Sequence, residues 1–220
     1  ADAAPLAAAL GDDRTGNFPS YRHREPMLGL EKAYSDTELR NWHRLLLARL
    51  GRTAATLVVE PKYDGMAISV TYERGQLVRA VTRGNGTEGE DITANVRTIH
   101  NLPATLRTAT PPDLIELRGE LYISREEFNR LNSELESAGE STFAHPRNLA
   151  AGTAKLFDPA EVAARKLEVV FYGWGACEPA GQRPASQRKF LAQAGAWGLP
   201  VIERPHVART LAELQTAVTE

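Results

Sequence analysis

The chain holds one cysteine, Cys177, among 220 residues. That rules out an internal disulfide framework and suits a reducing cytosol. An excess of either charge is also missing. With 26 basic and 28 acidic residues the formal net charge is −2, so no global basic field argues for nucleic acid, while a local basic surface stays open. No apolar run is long enough to span a bilayer. The opening Ala1-Asp2-Ala3-Ala4-Pro5-Leu6 has no basic leader and is not read as a signal peptide. The chain does not start with methionine, which suggests an excised or partly ordered polypeptide. There is no internal repeat and no low-complexity linker. What remains, 42% hydrophobic and 25% charged, fits a cytoplasmic globular protein of one or two domains with no membrane partner.

Residues 1–22 read as irregular, broken by Gly11-Asp12-Asp13 and Gly16-Asn17. Ser35-Asp36-Thr37-Glu38 fits a capping box, and Leu39, Trp42, Leu46 and Leu50 keep one helical face up to Gly51. Three strand-like runs follow, Thr56 to Glu60, Met66 to Glu73 and Gln76 to Thr82, with Arg74-Gly75 as a tight turn between the last two. This is antiparallel organisation. Ser124-Arg125-Glu126-Glu127 is a second capping box, opening a helix with Phe128, Leu131 and Leu135 inward and its acids on a solvated face. Asp158-Pro159 opens a short helix, and Leu167 to Tyr172 is a strand ended by Gly173-Trp174-Gly175. Cys177 to Pro184 reads as a loop. Two amphipathic helices, Ser186 to Trp197 and Thr210 to Val218, flank Pro200-Val201-Ile202.

The segment around which the chemistry collects is Glu60-Pro61-Lys62-Tyr63-Asp64-Gly65. In an extended segment Glu60, Lys62 and Asp64 share a face. Two readings of it stand side by side: ordinary solvated charges at a hairpin, or a lysine nucleophile. Lysine attacks only as the neutral amine, and with an ordinary pKa of about 10.4 that form costs about 4–5 kcal/mol at neutral pH. Neighbouring carboxylates raise a lysine pKa, so activation would need a metal ion, a second cation or acids occupied by substrate.

Other stretches carry polar chemistry. Arg83-Gly84-Asn85-Gly86-Thr87-Glu88-Gly89 contains a literal G-x-G-x-x-G, but the strand before it belongs to a hairpin and not to a parallel β-α-β unit. The glycines therefore suit a loop passing close to a ligand, with Arg83 available to an anion. Glu116, Arg118 and Glu120 alternate along Leu114 to Ile123, three charges on one face that suit a polar cleft. His145-Pro146-Arg147-Asn148-Leu149-Ala150-Ala151-Gly152-Thr153-Ala154-Lys155 combines small residues with two cations and suits approach to a phosphate backbone.

Taken in order, Pro26-Met27-Leu28, Glu60-x-Lys62-x-Asp64-Gly65, Thr82-Arg83-Gly84-Asn85-Gly86-Thr87-x-Gly89-Glu90-Asp91-Ile92-Thr93-x-Asn95-Val96-Arg97-Thr98-Ile99, Arg118-Gly119-Glu120, Pro146-Arg147-Asn148-x-Ala150-Ala151-Gly152 and Phe171-Tyr172-Gly173 closely resemble bacterial NAD-dependent DNA ligases. The resemblance runs from about His23 to Tyr172 and favours the nucleophile reading of Lys62.

It implies the adenylation domain, over residues 23–220: an α+β fold of antiparallel sheets with flanking helices, the nucleotidyltransferase (ATP-grasp-like ligase) fold. By position, Lys62 would attack the α-phosphorus of NAD, expel nicotinamide mononucleotide and hold AMP, with Asp64 orienting nucleotide and lysine. Glu60 would read the adenine amino group, Tyr172 would stack on the ring, and Arg83 and Glu120 would contact the ribose region. Gly29-Leu30 would line the adenine side, through backbone at Gly29, where the family usually has serine. Arg147 and Lys155 would face nicked duplex DNA; the family commonly has arginine at the latter, so a bidentate grip is weakened there. Mg2+ is implied by the phosphorus chemistry, with no ligand set readable. The family's later lysine motifs do not occur before Glu220, so an incomplete domain, weak or inactive alone, is expected, with the remaining ligase domains as partners. Two alternatives stand: an ATP-dependent ligase or capping-type enzyme, disfavoured by the Arg83 to Ile99 match, and a non-catalytic nucleic-acid-binding or assembly module retaining the fold.

Overall fold

The structure is a computed structural model that describes residues 11–202 and 204–219. The alanine-rich opening discussed above lies outside the described residues. In chain order the elements are β1 (Ser20–Arg22), α1 (Asp36–Leu50), β2 (Leu57–Val59), β3 (Met66–Glu73), β4 (Gln76–Thr82), β5 (Glu88–Glu90), α2 (Thr93–Val96) and β6 (Leu114–Tyr122). They continue with α3 (Arg125–Ser137), α4 (Pro146–Ala154), α5 (Pro159–Ala164), β7 (Glu168–Glu178), α6 (Gln187–Ala196), β8 (His206–Ala208) and α7 (Leu211–Thr219). The expected mixed fold of antiparallel sheets with flanking helices is present. The chain divides into two compact units, one holding residues 29–62 and 202–219, the other residues 11–28 and 63–201.

The smaller unit pairs β2 antiparallel to β8, with Val58 opposite Val207, and α7 contacts both β2 and α1. Ser35 caps α1 by accepting from Glu38 N, and Gly51 closes it at φ 61°, the left-handed conformation that favours glycine. The Glu38 carboxylate accepts from Tyr34 N at 2.6 Å, one residue earlier than a capping box places it. No residue of α1 is fully buried: Leu39, Trp42 and Leu46 are partly exposed and Leu50 is exposed.

The larger unit is built on a four-stranded antiparallel sheet in the order β4-β3-β6-β7. The β3–β4 hairpin turns through Arg74 (φ 46°) and Gly75 (φ 79°), two left-handed residues whose twist suits a tight hairpin. Register then sorts the side chains. Ile68, Val70 and Tyr72 of β3 lie opposite Gly119, Leu117 and Ile115 of β6, and all the apolar ones are fully buried. The intervening residues Ala67, Ser69 and Thr71 lie opposite Glu120, Arg118 and Glu116. One face is therefore apolar and the other polar, and a one-residue slip would exchange them. Each large apolar side chain buried here contributes about 1.5–3 kcal/mol. Helix α4, with Leu149, Ala150 and Ala154 buried, contacts β3 and β6.

Four expectations need correction. β7 does not stop at Gly173-Trp174-Gly175 but runs on to Glu178, with register shifts opposite β6, because those glycines sit in its irregular stretch. Cys177, assigned to a loop, is consequently a strand residue. The segment read as irregular ends in a strand, β1, paired with β5 through Tyr21 opposite Gly89. Glu127 is not on a solvated face: it is 7% exposed and held by Arg130, whose Nε donates to it at 2.8 Å.

Candidate active site

The Glu60–Gly65 segment is not a strand. β2 ends at Val59 and β3 begins at Met66, so alternation along a strand does not order Glu60, Lys62 and Asp64. Gly29, Leu30, Glu60 and Lys62 belong to the smaller unit, where Lys62 is exposed and Leu30 is 72% exposed. Asp64, Arg83, Glu120, Tyr172, Arg147 and Lys155 belong to the larger one. The first residue of that unit after the lysine, Tyr63, packs its ring on Tyr122 at 4.7 Å between centroids.

Within the larger unit the polar sheet face gathers three of the expected groups. Glu120 is 8% exposed, and its Oε1 accepts from Gly65 N at 3.2 Å, which ties the chain after Asp64 to β6. Arg83 follows β4, its N donating to Ala67 O at 3.1 Å, on the row that ends at Glu120. Tyr172 has no register partner, because Arg118 lies opposite Gly173 and Gly119 opposite Phe171. It is the extra residue of a bulge, a feature that re-aims a side chain. The ring is 36% exposed, and its phenol is pushed up to about 12 by burial and by the Glu120 carboxylate, against Arg118 and Arg83. Tyr172 is therefore neutral at physiological pH and presents a flat, half-open aromatic surface.

The sequence reading named Arg118 in a motif but gave it no role. Its side chain is 9% exposed, and Nη2 donates to Glu25 O at 2.7 Å and to Glu116 Oε2 at 3.2 Å. Burial lowers its pKa while Glu116 opposes the shift. Among the described residues its Nη1 is buried without a partner, as is Arg83 Nε. Unpaired buried donors of this kind are expensive unless a ligand or water takes them. His23 is a second omission. Its Nε2 lies 3.1 Å from Arg83 O, and burial, followed by the nearby Arg118 cation, lowers its pKa against the pull of that carbonyl. With Nε2–H donating to the carbonyl, Nδ1 is left as a buried acceptor without a partner. The even spacing of Glu116, Arg118 and Glu120 signals Arg118; a lone histidine in an irregular stretch signals nothing.

The two cations expected on DNA have different surroundings. Arg147 is half exposed and bound to Asp64. Lys155 is only 10% exposed, with Nζ 3.0 Å from Glu90 Oε2. Among the described residues no three of His, Cys, Asp or Glu are grouped to hold a metal ion. The residues present thus offer magnesium no protein cage, and no step below runs through one. Among the described residues, too, no helix is long and apolar enough to cross a membrane.

Set against known proteins, residues 15–220 match the family model described as the NAD-dependent DNA ligase adenylation domain. DNA ligase 1 of Opitutus terrae is 53% identical over 214 residues, covering 96% of this chain and 32% of that protein. DNA ligase 2 of the same organism is 44% identical, covering 96% and 30%. A DNA ligase of Synechococcus sp. is 43% identical, covering 93% and 32%. The chain spans about a third of the length of these curated relatives.

Proposed function

From the premise that the chain belongs to the NAD-dependent DNA ligase adenylation domain family, we propose that it is the part of a DNA ligase that takes AMP from NAD. Its fold in this reading is the nucleotidyltransferase (ATP-grasp-like) one, spanning residues 23–220. The neutral amine of Lys62 attacks the α-phosphorus of NAD. A nitrogen–phosphorus bond forms, the bond to the phosphate of nicotinamide mononucleotide breaks, and the amine loses one proton. The product is lysine-linked AMP, which the complete protein passes to the 5′ phosphate of a nick in duplex DNA.

Tyr172 stacks on the adenine, since a neutral, half-exposed ring suits a flat base. Glu60 reads the exocyclic amine, Arg83 and Glu120 take the ribose region, and Gly29 and Leu30 line the adenine side. Asp64 orients the nucleotide, and Arg147 meets DNA phosphate. Magnesium, for which the described residues group no ligand set, would supply only charge neutralisation on the nucleotide phosphates. The observation that supports the reading best is the polar sheet face itself, where a bulge presents Tyr172 beside buried Glu120 and donors of Arg118 and Arg83 that lack protein partners.

The test is intact mass after incubation with NAD or, separately, ATP, on this chain and on a polypeptide extended to the length of its relatives. An AMP adduct from NAD that vanishes in Lys62→Ala is expected. An adduct from ATP alone overturns the NAD reading. No adduct from either nucleotide in the extended polypeptide favours a nucleic-acid-binding module without chemistry.

A further inference from the structure

Lys155 stands at the C-cap of α4, and its ammonium is enclosed by acids. Besides Glu90 Oε2 at 3.0 Å it reaches Asp13 Oδ1 at 3.7 Å and donates to Asp13 O. The acids are themselves occupied. Glu90, 1% exposed, accepts at Oε1 from Thr15 N at 2.9 Å, Thr15 Oγ1 at 2.9 Å and Gly16 N at 2.7 Å. Asp13 Oδ1 accepts from Thr82 Oγ1 at 2.9 Å and Gly84 N at 3.0 Å. Arg83 sits between those two residues, and its Nη2 donates to Gly11 O at 3.1 Å. Residues 11–16 are therefore a strap laced to both ends of the glycine loop, and Lys155 bridges the two acids, Asp13 and Glu90, that anchor it.

We propose that Lys155 is a positioning residue for the nucleotide side of the site and not a DNA-phosphate contact: through Glu90 and Asp13 it fixes the loop that aims Arg83. The physical reason is charge. A largely buried lysine that reaches both the buried Glu90 carboxylate and the partly buried Asp13 carboxylate offsets their negative charge and holds strap and loop in one arrangement. A buried ammonium with these partners has no free face to offer a phosphate. The inference rests on the reading of Lys62 as AMP acceptor, and its test separates the two.

The test uses the ligase polypeptide extended to the length of its relatives, with NAD adduct formation, nick affinity and melting temperature measured for K155M, K155R, E90Q and K155M/E90Q. An unmodified protein that forms no adduct from NAD sinks the functional reading itself. Given an adduct, K155M and E90Q are each expected to raise KM for NAD about tenfold or more, misplacement of a substrate-positioning group being costly. K155R restores much of the loss. The loss in the double variant falls well short of the product of the two single losses, because both variants break the Lys155–Glu90 contact. Nick affinity and its salt dependence stay within about twofold in all four. Where K155M alone does not fold, E90Q, in which Lys155 keeps Asp13 as its partner, carries the comparison with K155R. Unchanged KM for NAD together with weaker nick binding in K155M would instead make Lys155 a DNA contact and overturn the proposal, as would additive effects of K155M and E90Q.

Discussion

Asp64 Oδ1 accepts a 2.6 Å hydrogen bond from Arg147 Nε across 83 residues of sequence. The acid two positions after Lys62 is thus held by the cation that the proposed function gives to DNA. Both side chains are more than half exposed, so the pair contributes at most about 1 kcal/mol to stability. Arg147→Ala is expected to leave the melting temperature nearly unchanged. In the extended ligase it should weaken nick binding and lower the slope of log affinity against log salt by about one. Fluorescence anisotropy on a nicked duplex at several salt concentrations checks this; an unchanged slope removes Arg147 from the DNA contacts.

In the proposed function Tyr172 binds through its ring and not its hydroxyl. Tyr172→Phe is therefore expected to keep KM for NAD within about twofold. Loss of base–aromatic stacking is worth about 1–3 kcal/mol, so Tyr172→Ala should raise KM roughly 5- to 150-fold. Equal losses in both variants would mean that the hydroxyl, not the face, does the binding.

Gly175 faces the Arg118–Glu116 pair. A Cβ there would stand 2.5 Å from Arg118 Nη2 and 2.7 Å from Glu116 Oε2. Gly175→Ala should push the two apart and leave a buried charge poorly compensated, a loss of about 1–3 kcal/mol. Urea denaturation measures it, and a midpoint equal to that of the unmodified chain would show that the pair moves aside freely.

His23 sets a pH dependence. Its pKa in the folded chain lies below the ordinary 6.5, first because of burial and then because of Arg118. The unfolded chain therefore binds more protons, and the histidine's contribution to stability is fully present above pH 6.5 and is lost as pH falls toward the folded value. Urea midpoints between pH 5 and 8 should drop on the acid side, and His23→Gln should flatten that slope. A slope unaltered by the substitution assigns the effect to other groups.

Much of the fold was legible wherever local chemistry decides it. Ser35 and Gly51 bound α1, and Arg74-Gly75 closes the β3–β4 hairpin whose strand ends match the sequence reading. Where distant partners decide, it was not. β1 and β5 are three residues each and stable only as a pair. Gly173 reads as a strand breaker until Arg118 of β6 opposes it, and Glu127 reads as solvated until Arg130 folds over it. Of the candidate site residues, Glu120, Arg83 and Tyr172 were named from motifs, and the fold gathers them on one sheet face. The surroundings of Lys155 were illegible, because Asp13 lies 142 residues away and nothing near it marks it out.

The two-sided character of β6 has an evolutionary consequence. Neighbouring positions from 115 to 121 answer to different pressures: odd ones are judged by how well the molecule holds together, even ones by what it can bind. Parity along this single strand sets residues that only pack one codon away from residues that carry charge as well.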